Sequence, residues 1–283
     1  MHAPAQPADR EFVFGDREFA LLSGIASQIT GIVLGDKKRE LVYGRLARRV
    51  RALGLSGFDE YIELISSPRG EAEIGMLVDA ITTNLTDFFR ESHHFDHLRE
   101  SVLRPLIEKP AGGESRRLRI WSAGCSSGEE PYSIAMTLQA AFPSLAGWDA
   151  QILATDIATH VLKRASEGTY PDNRLKGIPR GFLERFTETR SPGARTVVGP
   201  VRSLITFKQL NLLGPWPMKG PFDVIFCRNV AIYFDKETQR GLFDRFADLI
   251  AENGWLYIGH SESLYRVSER FELVGRTIYR KLS

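Results

Sequence analysis

At 283 residues the chain has room for one large domain or two smaller ones, and its 43% apolar, 25% charged and 10% aromatic content is that of an ordinary globular protein. No stretch approaches the about 18 consecutive apolar residues of a membrane span, and Met1 to Asp9 is polar and Ala/Pro-rich, without the basic-then-apolar order of a signal peptide. A net charge of +2 argues against a protein that coats nucleic acid, and two cysteines far apart in sequence, Cys125 and Cys227, fit a reducing cytoplasm.

The N-terminal third reads as helices joined by short turns, over 16–88, behind a flexible terminus at 1–15. Phe19, Leu22, Ile25 and Ile29 repeat at helical spacing and stop near Gly31. A second helix, from about Asp36 to Leu53, carries Lys37, Lys38, Arg39, Arg45, Arg48, Arg49 and Arg51 against only Asp36 and Glu40. At ~100° per residue Val42, Leu46, Val50 and Leu53 make one apolar stripe, with the basic residues fanned along its flank. Such a flank is either a solvated face or a docking surface for an acidic partner. No aromatics interleave with it, which weakens a single-stranded nucleic-acid reading. Further helices are expected over 58–65 and 71–81.

Residues 81–105 form a join, and 89–117 is read as a linker. Asn84, Thr86 and Arg90 could face a common ligand across a domain boundary. His93, His94 and His97 lack a supporting acid or cysteine pattern for zinc, so packing and solvent-facing roles are expected and no metal. Residues 108–117 read as a loop.

From 118 the pattern becomes α/β. Leu118 to Ala123 is a short apolar run; Gly124 to Gly128 is a glycine-bearing turn; Glu129, Glu130 and Pro131 open a helix in which Ile134, Ala135, Leu138 and Ala141 recur. Strand, glycine turn and helix is the geometry of a nucleotide-type site, although the spacing Gly124-x-x-x-Gly128 is not the dinucleotide fingerprint. A second strand ends at Asp156, where an acid typically grips ribose hydroxyls. The alternation breaks over 170–202, read as an insertion with a small antiparallel lobe. It resumes with strands at Leu204–Leu210 and Phe222–Cys227, whose far end puts Asn229 and Tyr233 where ligands of open α/β sheets sit. Strands at about 271–274 and 277–281 close the chain.

Five stretches in order resemble one family: Thr83 to Glu91, Trp121 to Ser133, Ala154 to Asp156, Phe222 to Asp235 and Gly259 to Glu262. With the lengths between them, they make the chain similar to the chemotaxis receptor methyltransferases, the CheR family. The resemblance implies a Rossmann-like class I S-adenosylmethionine-dependent methyltransferase domain over 118–283, with its β insertion, behind an all-α domain. It implies methylation of glutamate side chains on the cytoplasmic helical domain of methyl-accepting chemoreceptors. S-adenosylmethionine is then the donor, S-adenosylhomocysteine and a glutamyl methyl ester are the products, and no metal takes part.

Carried over by motif, Asn84, Thr86 and Arg90 line the donor site, and the Gly124–Gly128 turn with Glu129 and Glu130 holds the methionine end. Glu130 is favoured, though the sequence leaves the pair open. Asp156 binds the ribose, Asn211 and Leu212 flank the adenine, and Arg228, Asn229, Val230 and Tyr233 close the site. Arg90 and Tyr233 are the candidates for orienting the acceptor and shaping the methyl path. The basic helix becomes a receptor-docking face of Arg45, Arg48, Arg49 and Arg51. A monomer in the cytoplasm is expected, with no membrane insertion. In some members the inserted lobe binds a receptor C-terminal pentapeptide; the loop around 191–200 reads as shorter here, so the expectation leans against that tether. Two rivals share the donor fold. A nucleic-acid methyltransferase is disfavoured because the strand end reads Arg228-Asn-Val-Ala rather than Asn/Asp-Pro-Pro-aromatic. A donor-binding regulator without turnover would keep the same motifs.

Overall fold

The computed structural model describes residues 10–82, 84–108, 116–142 and 147–282. It divides into two units, Met1–Thr83 and Asn84–Ser283. Residues 1–9, Thr83 and 109–115, on which the expected free terminus, the first motif and the expected loop partly fall, lie outside the described residues.

Among its described residues the first unit has four α-helices: α1 (Asp16–Thr30), α2 (Arg39–Ala52), α3 (Phe58–Ser66) and α4 (Glu71–Ile81). Helix α1 starts where the Glu18 carboxylate accepts the Gly15 N–H at 2.6 Å and stops where Gly31, at φ 70°, donates to Ser27 O. On α2 the stripe of Val42, Leu46 and Val50 is fully buried, as its spacing predicts. The flexible terminus expected over 1–15 needs shortening. Phe14 is buried, with its ring 4.5 Å from that of Phe58, because one aromatic can anchor an otherwise polar segment.

The second unit begins at Asn84, so the helical unit ends earlier than the expected 88. Phe88 explains the shift: it is buried 5.0 Å from the Tyr170 ring, and the next N–H, of Phe89, donates to Ser133 Oγ at 2.9 Å. The expected linker is also largely helix: α5 (His93–His97), a π-helical turn (Leu98–Leu103) and α6 (Arg104–Glu108). Phe95, Leu98 and Leu103 there join the core formed by Tyr132, Ile134 and Phe226. Three histidines and several charges among them hid the apolar face.

The α/β elements are β1 (Arg117–Ala123), α7 (Glu129–Ala141), β2 (Asp149–Asp156), α8 (Thr159–Glu167), β3 (Thr169–Pro171), α9 (Arg180–Phe186), β4 (Thr187–Ser191), β5 (Ala194–Val197), α10 (Gly199–Arg202), β6 (Ile205–Gln209), β7 (Phe222–Cys227), α11 (Lys236–Leu249), β8 (Ile250–Ile258), β9 (Phe271–Gly275) and β10 (Ile278–Lys281). The seven-stranded sheet runs β6-β2-β1-β7-β8-β10-β9, with β10 antiparallel to both neighbours and β1, β2, β6, β7 and β8 parallel. The central β1 is buried from Ile120 to Ala123, in register with Ile152 of β2 and Val224 of β7 at Ile120. The insertion is the three-stranded antiparallel sheet β3-β5-β4, with α9 and α10 built in as well.

Candidate donor site at the carboxyl ends of the strands

Strand order reverses at β1: the chain steps outward through β2 and β6 on one side, then returns to β7 on the other. The loops after β1 and β7 therefore diverge and leave a crevice at the strands' carboxyl ends. Gly124, at φ 84°, opens the first of these loops, and a Cβ there would lie 2.4 Å from Val230 Cγ2 of the second. Glycine lets the two loops touch. The N–H groups of Gly124 and Cys125 both donate to Thr155 O at 2.8 Å, tying the turn to the end of β2.

Asp156 braces the same turn. Its Oδ2 accepts from Ser126 N at 2.8 Å and its Oδ1 from Ala158 N at 2.9 Å. Burial pushes its carboxyl above the ordinary range against those hydrogen bonds. Each oxygen keeps a further lone pair, so the acid can still accept from a diol.

The two acids that open α7 face different partners. Glu129, 1% exposed, accepts from Arg174 of the insertion at 2.5 Å and from Ser127 Oγ at 2.7 Å. The same guanidinium reaches Thr86 O at 2.7 Å, so Glu129 and Thr86 anchor the insertion. Glu130 accepts from Ser122 Oγ at 2.7 Å and from Arg228 Nη1, beyond β7, at 3.0 Å. Burial raises its carboxyl, with Arg228 pulling the other way. Glu130 is thus the member turned toward the crevice between β1 and β7.

Arg228 gathers further groups. It donates to Arg90 O and lies 3.3 Å from the Glu91 carboxylate, whose other oxygen takes His260 Nδ1 at 2.7 Å and His260 N at 3.2 Å. Burial works to raise the Glu91 carboxyl, but His260 and Arg228 outweigh it and hold it down at about 2. Arg228 Nε is buried with no hydrogen-bond partner among the described residues.

The remaining candidates cluster around these. Asn84 O accepts from Ser126 Oγ at 3.1 Å, and the Arg90 guanidinium donates to Leu85 O at 3.1 Å. Asn229 takes a left-handed φ of 58° just past β7, and Tyr233 ends a half-buried 3-10 turn, Ala231–Tyr233. Beyond β6 an open hollow of about 590 Å³ is lined by Ile157, Leu210, Asn211 and Trp216. Leu212 does not line it: its side chain joins the core of Trp121, Phe243 and Phe246, and its carbonyl accepts from Trp216 and Arg245.

Residues 84–280 match the model of the CheR methyltransferase SAM binding domain, and residues 17–82 that of the CheR methyltransferase all-alpha domain. The chain belongs to the CheR methyltransferase family. A Rhizobium etli protein named "Probable chemotaxis protein methyltransferase" is 47% identical over 88% of this chain and 94% of its own length. The Escherichia coli chemotaxis protein methyltransferase is 42% identical over 93% of this chain and 90% of its own. Chemotaxis protein methyltransferase 2 of Pseudomonas aeruginosa is 42% identical over 96% and 95%. The seven-stranded sheet of this CheR chain is accordingly that of a SAM binding domain, carrying a small antiparallel insertion and preceded by an all-α unit.

The residues of this CheR chain fit such a donor. A carboxylate suits its ammonium, a strand-end acid its ribose and the hollow beyond β6 its purine, while Arg228 Nε remains an unfilled donor. The basic helix is less available than its composition suggests. Arg45 donates to Ala80 O at 2.9 Å and Thr82 O at 2.5 Å, Arg49 forks onto buried Glu73 at 2.6 and 2.7 Å, and Arg51 pairs with Glu11. Of the four arginines expected to dock, Arg48 is exposed and shows no ion pair among the described residues. The partners of Arg45, Arg49 and Arg51, on or just after α4 and before α1, are invisible on a helical wheel.

The histidines pack. His93 Nε2 lies 3.0 Å from Arg276 O, His94 Nε2 3.0 Å from Thr277 Oγ1, and His97 Nδ1 2.8 Å from Tyr257 OH. Glu91 does supply the acid the sequence did not reveal, with ligand atoms of Glu91, His93 and His94 within 4.8 Å of one another. The Arg228 guanidinium beside it disfavours another cation.

Three residues escaped the sequence reading. Glu262 accepts the N–H groups of Asn229, Val230, Ile232 and Gly259, at 2.8, 3.0, 3.2 and 2.5 Å, and so clamps the loop after β7. Glu91 and Glu262 stood inside family motifs without an assigned role. Arg174 lies in the insertion with no signal at all.

Proposed function

We propose that this chain transfers the methyl group of S-adenosylmethionine to glutamate side chains on the cytoplasmic helical domain of methyl-accepting chemoreceptors. Glutamyl methyl ester and S-adenosylhomocysteine are the products. The observation that carries the reading is the Glu130–Arg228 pair between β1 and β7, with Asp156 bracing the Gly124–Gly128 turn beside it, in a CheR-family chain. When bound, the donor supplies an electrophilic methyl on a sulfonium. Glu130 holds its ammonium, with Arg228 nearby; Asp156 holds the ribose; Asn211 borders the purine; and Asn84, Thr86, Asn229 and Val230 complete the walls.

An acceptor glutamate, with a pKa of ~4.3, is already ionised at neutral pH, so no residue of this chain has to take a proton from it. The work left to the chain is alignment and exclusion of water. Arg90 orients the incoming carboxylate by a charge-assisted hydrogen bond, and Tyr233 shapes the path of the methyl. The exposed cations of α2 attract an acidic receptor bundle. We infer a monomer that works in the cytoplasm and takes no nucleic acid; among the described residues no helix is long and apolar enough to cross a membrane.

The test is transfer of labelled methyl to purified receptor cytoplasmic fragments. Label released by mild base, as an ester is, is the expected result. Base-stable label on RNA or DNA overturns the reading, and donor binding without any transfer points to a regulator.

A further inference from the structure

Arg228 faces more negative charge than one guanidinium needs. Glu130 lies 3.0 Å from its Nη1 and Glu91 3.3 Å from its Nη2, while Arg90 O accepts a hydrogen bond from Nη2. Glu91 reaches this position from a left-handed backbone, φ 57°, that turns its side chain inward. Its second oxygen is fixed by the main-chain N–H and ring of His260, on the loop after β8. A Glu130–Arg228 pair alone is neutral and presents a weak field to an ammonium. With Glu91 added, Arg228 and the two carboxylates together carry a net negative charge, which is the sign an ammonium seeks.

We infer that Glu91 is a charge-balancing positioning residue: by offsetting the charge of Arg228, it leaves the field of the Glu130 carboxylate uncancelled for the ammonium of the donor's methionine end. The inference rests on the assignment of Glu130 to that ammonium. A merely structural Glu91, tying its own segment to the loop after β8, would support every part of the donor equally. A charge-balancing one supports the amino-acid end and leaves the adenosine end alone.

Two ligands separate these roles. S-adenosylhomocysteine carries the ammonium; 5′-methylthioadenosine keeps the adenosine and sulfur and lacks the amino acid. Their affinities for the full chain are measured by calorimetry, with thermal unfolding as a check on the fold. The wild type is expected to prefer S-adenosylhomocysteine. Glu91→Gln should weaken S-adenosylhomocysteine roughly tenfold, the scale of one lost charge at short range in a half-screened site, and move methylthioadenosine less than about twofold. Glu91→Asp, which keeps the charge, should restore most of the preference even where overall affinity falls. Equal weakening of both ligands by Glu91→Gln, or weakening of neither, overturns the inference. Glu130→Gln separates the two layers: if it abolishes the preference while Glu91→Gln does not, only the role of Glu91 falls. If Glu130→Gln leaves the preference intact, the assignment of Glu130 is wrong and the inference falls with it.

Discussion

A single carboxylate holding four main-chain N–H groups is an economical way to fix a loop, and Glu262 does this for the segment after β7. The clamp holds Asn229 in a left-handed backbone, which asparagine tolerates better than most residues with a side chain. Glutamine at 262 would keep one acceptor oxygen and turn an NH2 toward N–H groups that are themselves donors. Each backbone donor left without a partner costs about 1–3 kcal/mol. Glu262→Gln is therefore expected to lower stability by roughly 2–4 kcal/mol in denaturant titration. It should also raise the dissociation constant for S-adenosylhomocysteine, because Asn229 and Val230 are released. A variant with wild-type donor affinity would show that the loop's shape does not depend on the clamp.

At the scale of the element, α2 shows how composition can mislead. Its charge run reads as one docking face, yet the Arg49 guanidinium is committed to Glu73, which is buried and also accepts from Tyr61 OH at 3.2 Å. Removing Arg49 strands a buried acid. Arg49→Ala should cost roughly 3 kcal/mol and lower the melting temperature of the helical unit. Lys37 and Arg48 are exposed, with no ion pair among the described residues, so the proposed docking role is tested on them. The double reversal Lys37→Glu, Arg48→Glu is expected to raise the KM for receptor several-fold, leave donor affinity unchanged and spare stability. Equal loss of donor affinity would refute the docking role.

Over the whole molecule, buried titratable groups set the response to acid. Burial, with the nearby Arg228 charge, holds His94 down at about 3, against an ordinary value of 6.5. Between those values the unfolded chain binds a proton that the folded chain does not, so stability falls as pH drops below about 6.5, by at most ~1.4 kcal/mol per unit. Glu91 acts in the same direction at lower pH: its contribution is present above 4.5 and is lost as pH falls toward about 2. The raised carboxyls of Glu130, Asp156 and Glu262 oppose this, since protonation relieves their burial. Burial lowers His97 as well, so between pH 6.5 and 5 the two histidines act in the same direction. Urea midpoints of the wild type should fall across that window, and those of His94→Phe, which keeps the stacking on Tyr257, should fall less steeply, with His97 still titrating. An unchanged slope in the variant would place the titrating group elsewhere.

Local patterns determined much of this protein. The stripe on α2, the strand–turn–helix around Gly124, the strand ending at Asp156 and the chain order of the closing strands all follow from short-range periodicity and turn chemistry, which the sequence displays directly. The places of Glu130 in the first turn of α7 and of Asp156 at the end of β2 were legible because their motifs carry them. Which of two adjacent acids turns toward the crevice was not, because the answer depends on Arg174 and Arg228, residues far along the chain that only the fold brings to α7. The same reason hid the sequestered arginines of α2, the helix within the supposed linker and the clamp at Glu262. Pairing between distant charges and backbone groups leaves no period in sequence, and here it decides which groups are free to meet a ligand.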